Sequence, residues 1–298
     1  SFFLGVSFSI VACSSNNEII PVPDVDPDGD DGTTEVEFAK GADIGWVTEY
    51  ESKGYNFYNA KGEQRECTAL MKELGLNAIR IRVWVDPSKH GNWCNTADVV
   101  EKAKRAKELG MDVMIDFHYS DWWADPAQQN KPASWVGKNL VNLKSAIKDH
   151  TVSVLQALKE IGVIPKWVQV GNEIRPGMLW DEDVALSGAS YNVTEKDLKD
   201  APASATDKVV YPMNWANLGA FVTTGYDAVK SVFPDAIVIV HLDNGWDSGL
   251  FTWFFDELKK NGGKWDMIGM SLYPYWSRDA KEGYSSADAV ITDCISNI

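Results

Sequence analysis

Glu173 is the side chain in this sequence best placed for proton transfer, because it directly follows the apolar segment 167–171 and Asn172. A carboxyl group at the end of a buried strand is partly desolvated, which raises its pKa and allows it to act as a general acid. Cleavage of a glycosidic bond requires such an acid to protonate the leaving oxygen. The alternative is an exposed glutamate at a strand end with no chemical role.

Other side chains suited to binding or chemistry share the same position, since each closes a predicted strand or opens the loop that follows it. They are Trp46, Arg80, Arg82, Trp84, Asp116, His118, Asp121, Trp122, Asn172, His241, Asp243, Trp246, Tyr273 and Trp276. Aromatic rings offer apolar faces for sugar rings, and carboxylates and amides hydrogen-bond hydroxyl groups. The set predicts a carbohydrate-binding groove. The alternative is that the tryptophans belong to the core, and Trp123 and Trp135 are expected to pack.

The elements that must position these residues alternate along the chain. Short β-rich segments lie at 41–47, 77–85, 112–119, 167–173, 236–243 and 267–275, with helical patterns near 63–74, 96–109, 139–161, 214–232 and 249–261. Gly75, Gly110 and Gly162 stand where helices should end, and Thr96 is a candidate N-cap. Continuous βα alternation without a GxGxxG or GxxxxGK[ST] motif predicts an α/β fold, a (β/α)8 TIM barrel. Only its first six βα units, the sixth helix incomplete, are expected here.

Composition limits the partners. The 298 residues include 28 Lys+Arg and 43 Asp+Glu, for a net charge of −15. This acidity argues against nucleic acid, whose phosphates attract basic surfaces, but not against a neutral polysaccharide. Residues 1–39 contain eight acids and no Lys or Arg, so much of the negative charge precedes the barrel segments.

The first 38 residues are predicted to be a targeting segment and a linker. Residues 1–12 are apolar, as in a signal peptide, and residues 10–13 (IVAC) resemble a lipobox in which Cys13 is the lipid anchor. The alternative is a free cysteine beside a buried strand. Residues 13–38 are interpreted as an acidic flexible linker, and residues 39–298 as the partial barrel domain. The predicted location is the bacterial cell surface or periplasm, with attachment to the outer membrane.

The remaining cysteines and the acidic run give no metal site. Cys67, Cys94 and Cys294 lack CxxC spacing, and a Cys67–Cys94 disulfide stays open for an exported protein. The run at 24–31 (DVDPDGDD) lacks the glutamate that closes an EF-hand loop. We expect neither a metal nor a cofactor.

Between about 41 and 276 the chain resembles glycoside hydrolase family 53, the endo-β-1,4-galactanases. The matching segments are GADIGWV, LGLNAIRIRVWVDP, MDVMIDFHYSDWWADP, KPASW, VQVGNEIRPGMLW, IVHLDNGW and MSLYPYW. The segments DFHYSDWWADP and GNEIRPGMLW are together specific. A mannanase or cellulase of the same superfamily, the alternative within the enzymes, would share the Asn-Glu pair but not these segments.

The resemblance implies a role for each candidate. Glu173 would be the general acid/base, Asn172 would bond the sugar 2-hydroxyl, and Arg80 would orient the nucleophile. Seven residues would line the substrate groove. Trp84 would form a wall, and the others would follow the third, fifth and sixth strands: His118, Asp121 and Trp122, then Asp243 and Trp246, then Tyr273. Because neighbours in a strand face opposite sides, Arg82 and Asp116 are alternatively polar residues of the barrel interior.

The family hydrolyses galactan and the type I arabinogalactan of pectin with retention, using a nucleophilic glutamate on the seventh strand. No seventh strand is recognisable, so we expect a C-terminally truncated chain whose nucleophile lies beyond residue 298 and which alone is inactive. A non-catalytic galactan-binding surface lipoprotein is the second hypothesis, and a galactosidase acting from chain ends is a third. We expect a monomer, and we expect the polar insertion at 181–211 to flank the groove.

Overall fold

The computed structural model describes residues 10–13, of which only the backbone is considered, together with 38–180, 215–274 and 287–298. In chain order the strands are β1 (Ile10–Cys13), β2 (Gly41–Asp43), β3 (Phe57–Tyr58), β4 (Gln64–Arg65), β5 (Ala78–Val83), β6 (Asp112–Phe117), β7 (Trp167–Val170), β8 (Ile237–Leu242) and β9 (Met267–Met270). The helices are α1 (Val47–Ser52), α2 (Cys67–Glu73), α3 (Thr96–Glu108), α4 (Leu140–Glu160), α5 (Trp215–Val232), α6 (Ser248–Lys260) and α7 (Ala287–Ser296).

Six of these strands form the predicted parallel sheet, in the order β2-β5-β6-β7-β8-β9. This partial TIM barrel confirms the fold class expected from the alternating pattern. The sheet gains a further strand, β1, which pairs antiparallel with β9. The sequence patterns predict neither this pairing nor α1 nor the small β3–β4 hairpin.

Alternation along β5 separates the core from the site. Ile79, Ile81 and Val83 are fully buried in the layer between the sheet and the helices. Arg80 and Arg82 point to the opposite face, the barrel interior, because successive side chains of a strand face opposite sides. The apolar core therefore holds the strands in register, and the polar interior is free to form a site.

Helix ends follow the predicted signals with one exception. Gly75, Gly110 and Gly162 have φ values of 88°, 63° and 68°, the left-handed conformation that favours glycine after a helix. The N-cap of α3 is not Thr96, which is already helical. It is Asn95, whose side-chain oxygen accepts a hydrogen bond from the Asp98 amide at 3.0 Å.

The Cys67–Cys94 pairing left open by the sequence does not form in this structure. Both residues are buried free thiols, and the Cys94 thiol donates a hydrogen bond to the Gly45 carbonyl at 3.2 Å. Among the described residues, no helix is both long enough and apolar enough to cross a bilayer.

Candidate active site

Glu173 lies in a tight turn just beyond β7, the fourth strand of the parallel sheet. Its φ of 48° is unusual for a side chain with a Cβ, and Gly171, two residues earlier, has φ 81°. A Cβ at Gly171 would come within 2.4 Å of the Ile174 side chain, so glycine is required there. Gln129 fixes the turn from the other side, donating to the carbonyls of Asn172 at 2.8 Å and Glu173 at 3.2 Å.

The environment of Glu173 favours a protonated carboxyl group. Burial, supported by the negative charge of Asp243, raises the pKa of Glu173 to about 7. A hydrogen bond from Ser271 and the charge of Arg80 act in the opposite direction. A carboxyl with this pKa can donate a proton and recover it near neutral pH, which is the requirement for general acid/base catalysis.

Arg80, on β5, contacts side chains of three other strands of the sheet, β2, β6 and β7, and the side chain of Asn172. Its guanidinium donates to Asp43 at 2.7 Å, Gln169 at 3.1 Å and Asn172 at 2.9 Å, and pairs with Asp116 at 2.8 Å. Burial disfavours the charge of Arg80, but Asp116 and Asp43 raise its pKa above the ordinary value. Arg80 therefore holds the Asn172 side-chain oxygen in a fixed position as a permanent cation.

Asp116 is a polar residue of the barrel interior, as the alternative interpretation of the sequence proposed. It is fully buried, yet Arg80 and His118 hold its pKa below the ordinary value against the effect of burial. His118 is also buried and uses both ring nitrogens: Nε2 lies 2.9 Å from Asp116, and Nδ1 accepts from the Ala124 amide at 3.0 Å. In this structure His118 contacts the Asp116 side chain and the Ala124 backbone. Contact of His118 with substrate stays a prediction.

Aromatic rings form an exposed platform after β6. Trp122 is 37% exposed, and its ring lies 4.5 Å from that of Trp84, which is buried beneath it. His90 stacks on Trp122 at 3.8 Å. Trp123 is exposed to a similar extent, 39%, although its ring packs against Arg82 with a guanidinium-to-ring distance of 4.2 Å. Trp122 and Trp123 therefore offer the surfaces, while Trp84 supports them.

The other predicted groove residues are placed as follows. Asp121 braces two loops, since its carboxylate accepts from the amides of Asp86 and Ala133, both at 2.9 Å. Asp243 forms a bidentate ion pair with Arg175 at 2.7 and 2.6 Å. The remaining two, Trp246 (buried) and Tyr273 (half-buried), follow β8 and β9. Trp276 and the insertion at 181–211 lie outside the described residues.

Sequence reasoning missed several polar partners of the site: Asp43, Gln129, Gln169, Arg175 and Ser271. Asp43 and Gln169 carry a recognisable signal, because each is a polar side chain within or ending an otherwise apolar strand. The others become visible only when the loops are folded. Among the described residues, no cluster of three or more His, Cys, Asp or Glu is arranged to hold a metal ion.

A parallel barrel sheet whose fourth strand ends in a carboxyl with a raised pKa, beside an asparagine and an aromatic platform, is the arrangement of a barrel glycoside hydrolase. The family model of Glycosyl hydrolase family 53 matches residues 39–293. The chain belongs to this family, as the sequence resemblance predicted.

Individual relatives agree with this assignment. The arabinogalactan endo-β-1,4-galactanase of Thermothelomyces thermophilus is 34% identical over 247 residues, covering 81% of this chain and 65% of the relative. The endo-β-1,4-galactanase of Bacillus subtilis is 30% identical over 246 residues, covering 80% and 50%. The solved catalytic domain of the family from Ignisphaera aggregans superimposes with a TM-score of 0.67 at 31% identity, covering 80% and 60%.

The curated relatives that the chain matches are longer than the matched region. A protein of Niallia circulans described as lying in the bgaB 5' region is 38% identical over 242 residues, and the match spans 81% of this chain but 60% of that relative. This chain thus corresponds to about half to two thirds of such proteins.

Proposed function

We propose that this chain belongs to an endo-acting, retaining β-1,4-galactanase that cleaves galactan and the type I arabinogalactan of pectin. Glu173 is its general acid/base, Asn172 contacts the sugar in the cleavage subsite, and Arg80 positions Asn172 and supports the charge of the site. The Trp122 platform contributes to the groove. The observation that carries this proposal is the position of Glu173, beside Asn172 and just after the fourth parallel strand, in surroundings that raise its pKa to about 7.

Family membership supports the substrate. Curated relatives from a fungus and a bacterium are named as β-1,4-galactanases, and solved fungal β-1,4-galactanases superimpose with a TM-score of 0.62 at 32% identity. Galactan is therefore the proposed substrate.

The nucleophile is assigned to a carboxylate outside the described residues. A retaining mechanism needs a second carboxylate about 5–5.5 Å from the acid/base. Among the described residues, Asp243 and Asp125 are carboxylates whose negative charge raises the pKa of Glu173. Asp243 is bound through both oxygens by Arg175, and Asp125 accepts from the Ala127 amide and the Gln128 side chain. Both carboxylates are thus engaged in holding loops.

The test is hydrolysis of unbranched β-1,4-galactan by the natural full-length protein. Release of reducing ends within long chains is expected, and Glu173→Gln should reduce the rate by about 100-fold or more, since general acid/base catalysis contributes about 10²–10⁴. The matched control is Glu160→Gln at the exposed end of α4, which should retain activity. Equal rates on mannan or cellulose would contradict the substrate assignment.

The same experiment separates the enzyme from a galactan-binding protein. A binding protein would retain galactan without releasing reducing ends, and Glu173→Gln would leave its affinity unchanged. A product series made only of single sugars would instead indicate a galactosidase that acts from chain ends. Binding without hydrolysis by the full-length wild-type protein would overturn the proposed function.

We also propose that Cys13 carries a lipid anchor, so that the protein is exported and attached to the outer membrane, with residues 13–38 as linker. The apolar run before Cys13 and the polar residues directly after it support the anchor, and the acidic, Pro- and Gly-containing composition of residues 14–38 supports the linker. Processing at Cys13 would remove Ile10, Val11 and Ala12, which are three residues of β1. The pairing of β1 with β9 would then be limited to the unprocessed chain.

A further inference from the structure

His241 lies between the candidate acid/base Glu173 and Ser271, which directly follows the neighbouring strand β9. Its side chain is buried near the end of β8, and both ring nitrogens have polar neighbours. Nε2 lies 2.9 Å from the Ser271 hydroxyl. Nδ1 lies 3.1 Å from the Asn172 side-chain oxygen and 3.3 Å from the Glu173 backbone amide.

These contacts cannot all be satisfied at once. Burial, together with the positive charge of Arg80, lowers the pKa of His241 to about 3, so the ring is neutral near pH 7. A neutral imidazole carries one ring proton and therefore donates on one side and accepts on the other. Nδ1 can accept from the Glu173 amide or donate to Asn172, but it cannot do both.

We propose that Ser271 and His241 form a hydrogen-bond relay that couples the ionisation state of Glu173 to the tautomer of His241, and through it to Asn172. The relay rests on the role of Glu173 as the acid/base given under Proposed function. Ser271 is here a positioning residue, because it acts through Glu173 and His241.

With Glu173 ionised, the hydrogen bonds fix one direction. The carboxylate only accepts, so the Ser271 hydroxyl donates to it, a contact that favours the charged form of Glu173. The Ser271 oxygen then accepts from His241 Nε2–H. Nδ1 is left without a proton and accepts from the Glu173 amide. In this state Asn172 is held by Arg80 and Gln169 without help from His241.

With Glu173 protonated, the same tautomer leaves too many donors. The Glu173 hydroxyl and His241 Nε2–H would then both donate toward the serine oxygen, and the Ser271 hydroxyl would have only the uncharged carbonyl oxygen of Glu173, a weaker acceptor than a carboxylate, to donate to. If the ring proton lies on Nδ1 instead, Glu173 donates to Ser271, Ser271 donates to Nε2, and Nδ1–H donates to the Asn172 oxygen at 3.1 Å. In this arrangement Nδ1 no longer accepts from the Glu173 amide, and that contact, at 3.3 Å, is the longer of the two at Nδ1.

The two arrangements differ by a single proton. That proton is on the Glu173 carboxyl group in one state and has been passed to solvent or to the leaving oxygen in the other, while the imidazole stays neutral throughout. The other charged or titratable groups facing the pair are Arg80, Asp116 and His118 around His241, and Arg80, Asp125 and Asp243 around Glu173. Against the effect of burial, neighbouring arginines hold the pKa of Asp43 and of Asp116, which lie beside Arg80, below the ordinary value.

The relay is tested by long-range ¹⁵N NMR of the histidine rings in the complete protein, with His241→Gln to assign the signals. Between about pH 9 and about pH 5 the protonated nitrogen of His241 should change from Nε2 to Nδ1, with the midpoint at the pKa of Glu173, about 7. The neutral His118 ring should carry its proton on Nε2, because Nδ1 accepts from the Ala124 amide.

Three variants sharpen the result. Glu173→Gln should give one tautomer at every pH in this range. Ser271→Ala should abolish the dependence of the tautomer on Glu173, and Ser271→Thr, which keeps the hydroxyl, should restore it. Circular dichroism and the unchanged His118 signals would show that each variant is folded.

A tautomer that stays the same across this range, a doubly protonated His241 ring, or a wild-type response retained by Ser271→Ala would each overturn the relay. The measurement needs no turnover. An absence of galactan hydrolysis would therefore defeat the proposed function while leaving the relay intact, and a static His241 would defeat the relay while leaving the proposed function intact.

Discussion

The raised pKa of Glu173 is useful for chemistry, but ionisation of this buried carboxyl group lowers the stability of the folded protein. Its pKa rises from an ordinary value of 4.5 to about 7 in the folded protein. The folded state therefore keeps a proton that the unfolded chain has already lost, so the free energy of unfolding falls as pH rises through this interval. One pKa unit corresponds to about 1.4 kcal/mol, so the full effect is about 3 kcal/mol.

Replacing Glu173 with glutamine should therefore stabilise the protein above neutral pH. At about pH 8, Glu173→Gln is expected to raise the free energy of unfolding by up to about 3 kcal/mol, while at about pH 4 the two proteins should differ little. Urea unfolding at both pH values measures this, with Glu160→Gln correcting for the loss of one negative charge. A difference that does not depend on pH would contradict the assignment of the raised pKa to Glu173.

At the scale of elements, α4 packs against β6 through His150, a half-buried side chain. The His150 ring lies 5.6 Å from Phe117 and 6.4 Å from Trp135, and its buried Nε2 has no hydrogen-bond partner. Burial lowers the pKa of His150 from 6.5 to about 4. The unfolded chain binds this proton at higher pH than the folded chain, so stability is lost as pH falls from about 6.5 to about 4.

Removing the His150 imidazole should reduce this acid sensitivity. Both His150→Phe and His150→Gln are expected to remove up to about 3 kcal/mol of the loss in unfolding free energy between about pH 6.5 and about pH 4. The measured quantity is the pH dependence rather than the absolute stability, so a packing change in either variant does not affect the conclusion. Wild-type acid sensitivity in both variants would refute it.

The elements were predictable where their patterns are long. The six parallel strands and the helices α2 to α7 fall within or beside the predicted segments, because hydrophobic periodicity over many residues is a strong signal. The helix α1 and the β3–β4 hairpin have too few residues for a period. Asn95 and Thr96 are both good capping residues, and only the extended backbone at Asn95 distinguishes them.

The sequence predicts the site residues that lie at strand ends, but not the polar residues that hydrogen-bond to them. Glu173, Asn172 and Arg80 follow from their positions in buried strands. Gln129 and Ser271 are ordinary polar residues in the sequence, and their roles depend on loops that are brought together only by the folded sheet. The sequence also could not show that Trp84 lies beneath Trp122 rather than beside it, because both follow strands.

At the scale of the whole molecule, the family match begins at residue 39, where the acidic leader ends. Residues 1–39 hold eight of the 43 acids, so the leader is the most acidic part of the chain relative to its length. If Cys13 is the anchor, this acidic segment links the anchor to the barrel.

The lipid anchor is tested by replacing the sulfur atom of Cys13 with the oxygen of serine. Expression of the full-length protein with Cys13→Ser in a bacterial host should shift it from the membrane fraction to the soluble fraction and abolish the incorporation of labelled fatty acid. Cys294→Ser, in the buried part of α7, is the matched control and should leave both properties unchanged. Labelling that persists in Cys13→Ser would contradict the proposal.

The charged network beneath the site has a consequence for how this family can change over time. Arg80 and Arg82 are neutralised by Asp43 and Asp116, two cations against two anions in a buried layer. Loss of a single member leaves an unpaired buried charge, which is strongly destabilising. Substitutions at these four positions should therefore be inherited in compensating pairs, and an alignment of relatives should show Asp43 and Arg82 varying together rather than one at a time.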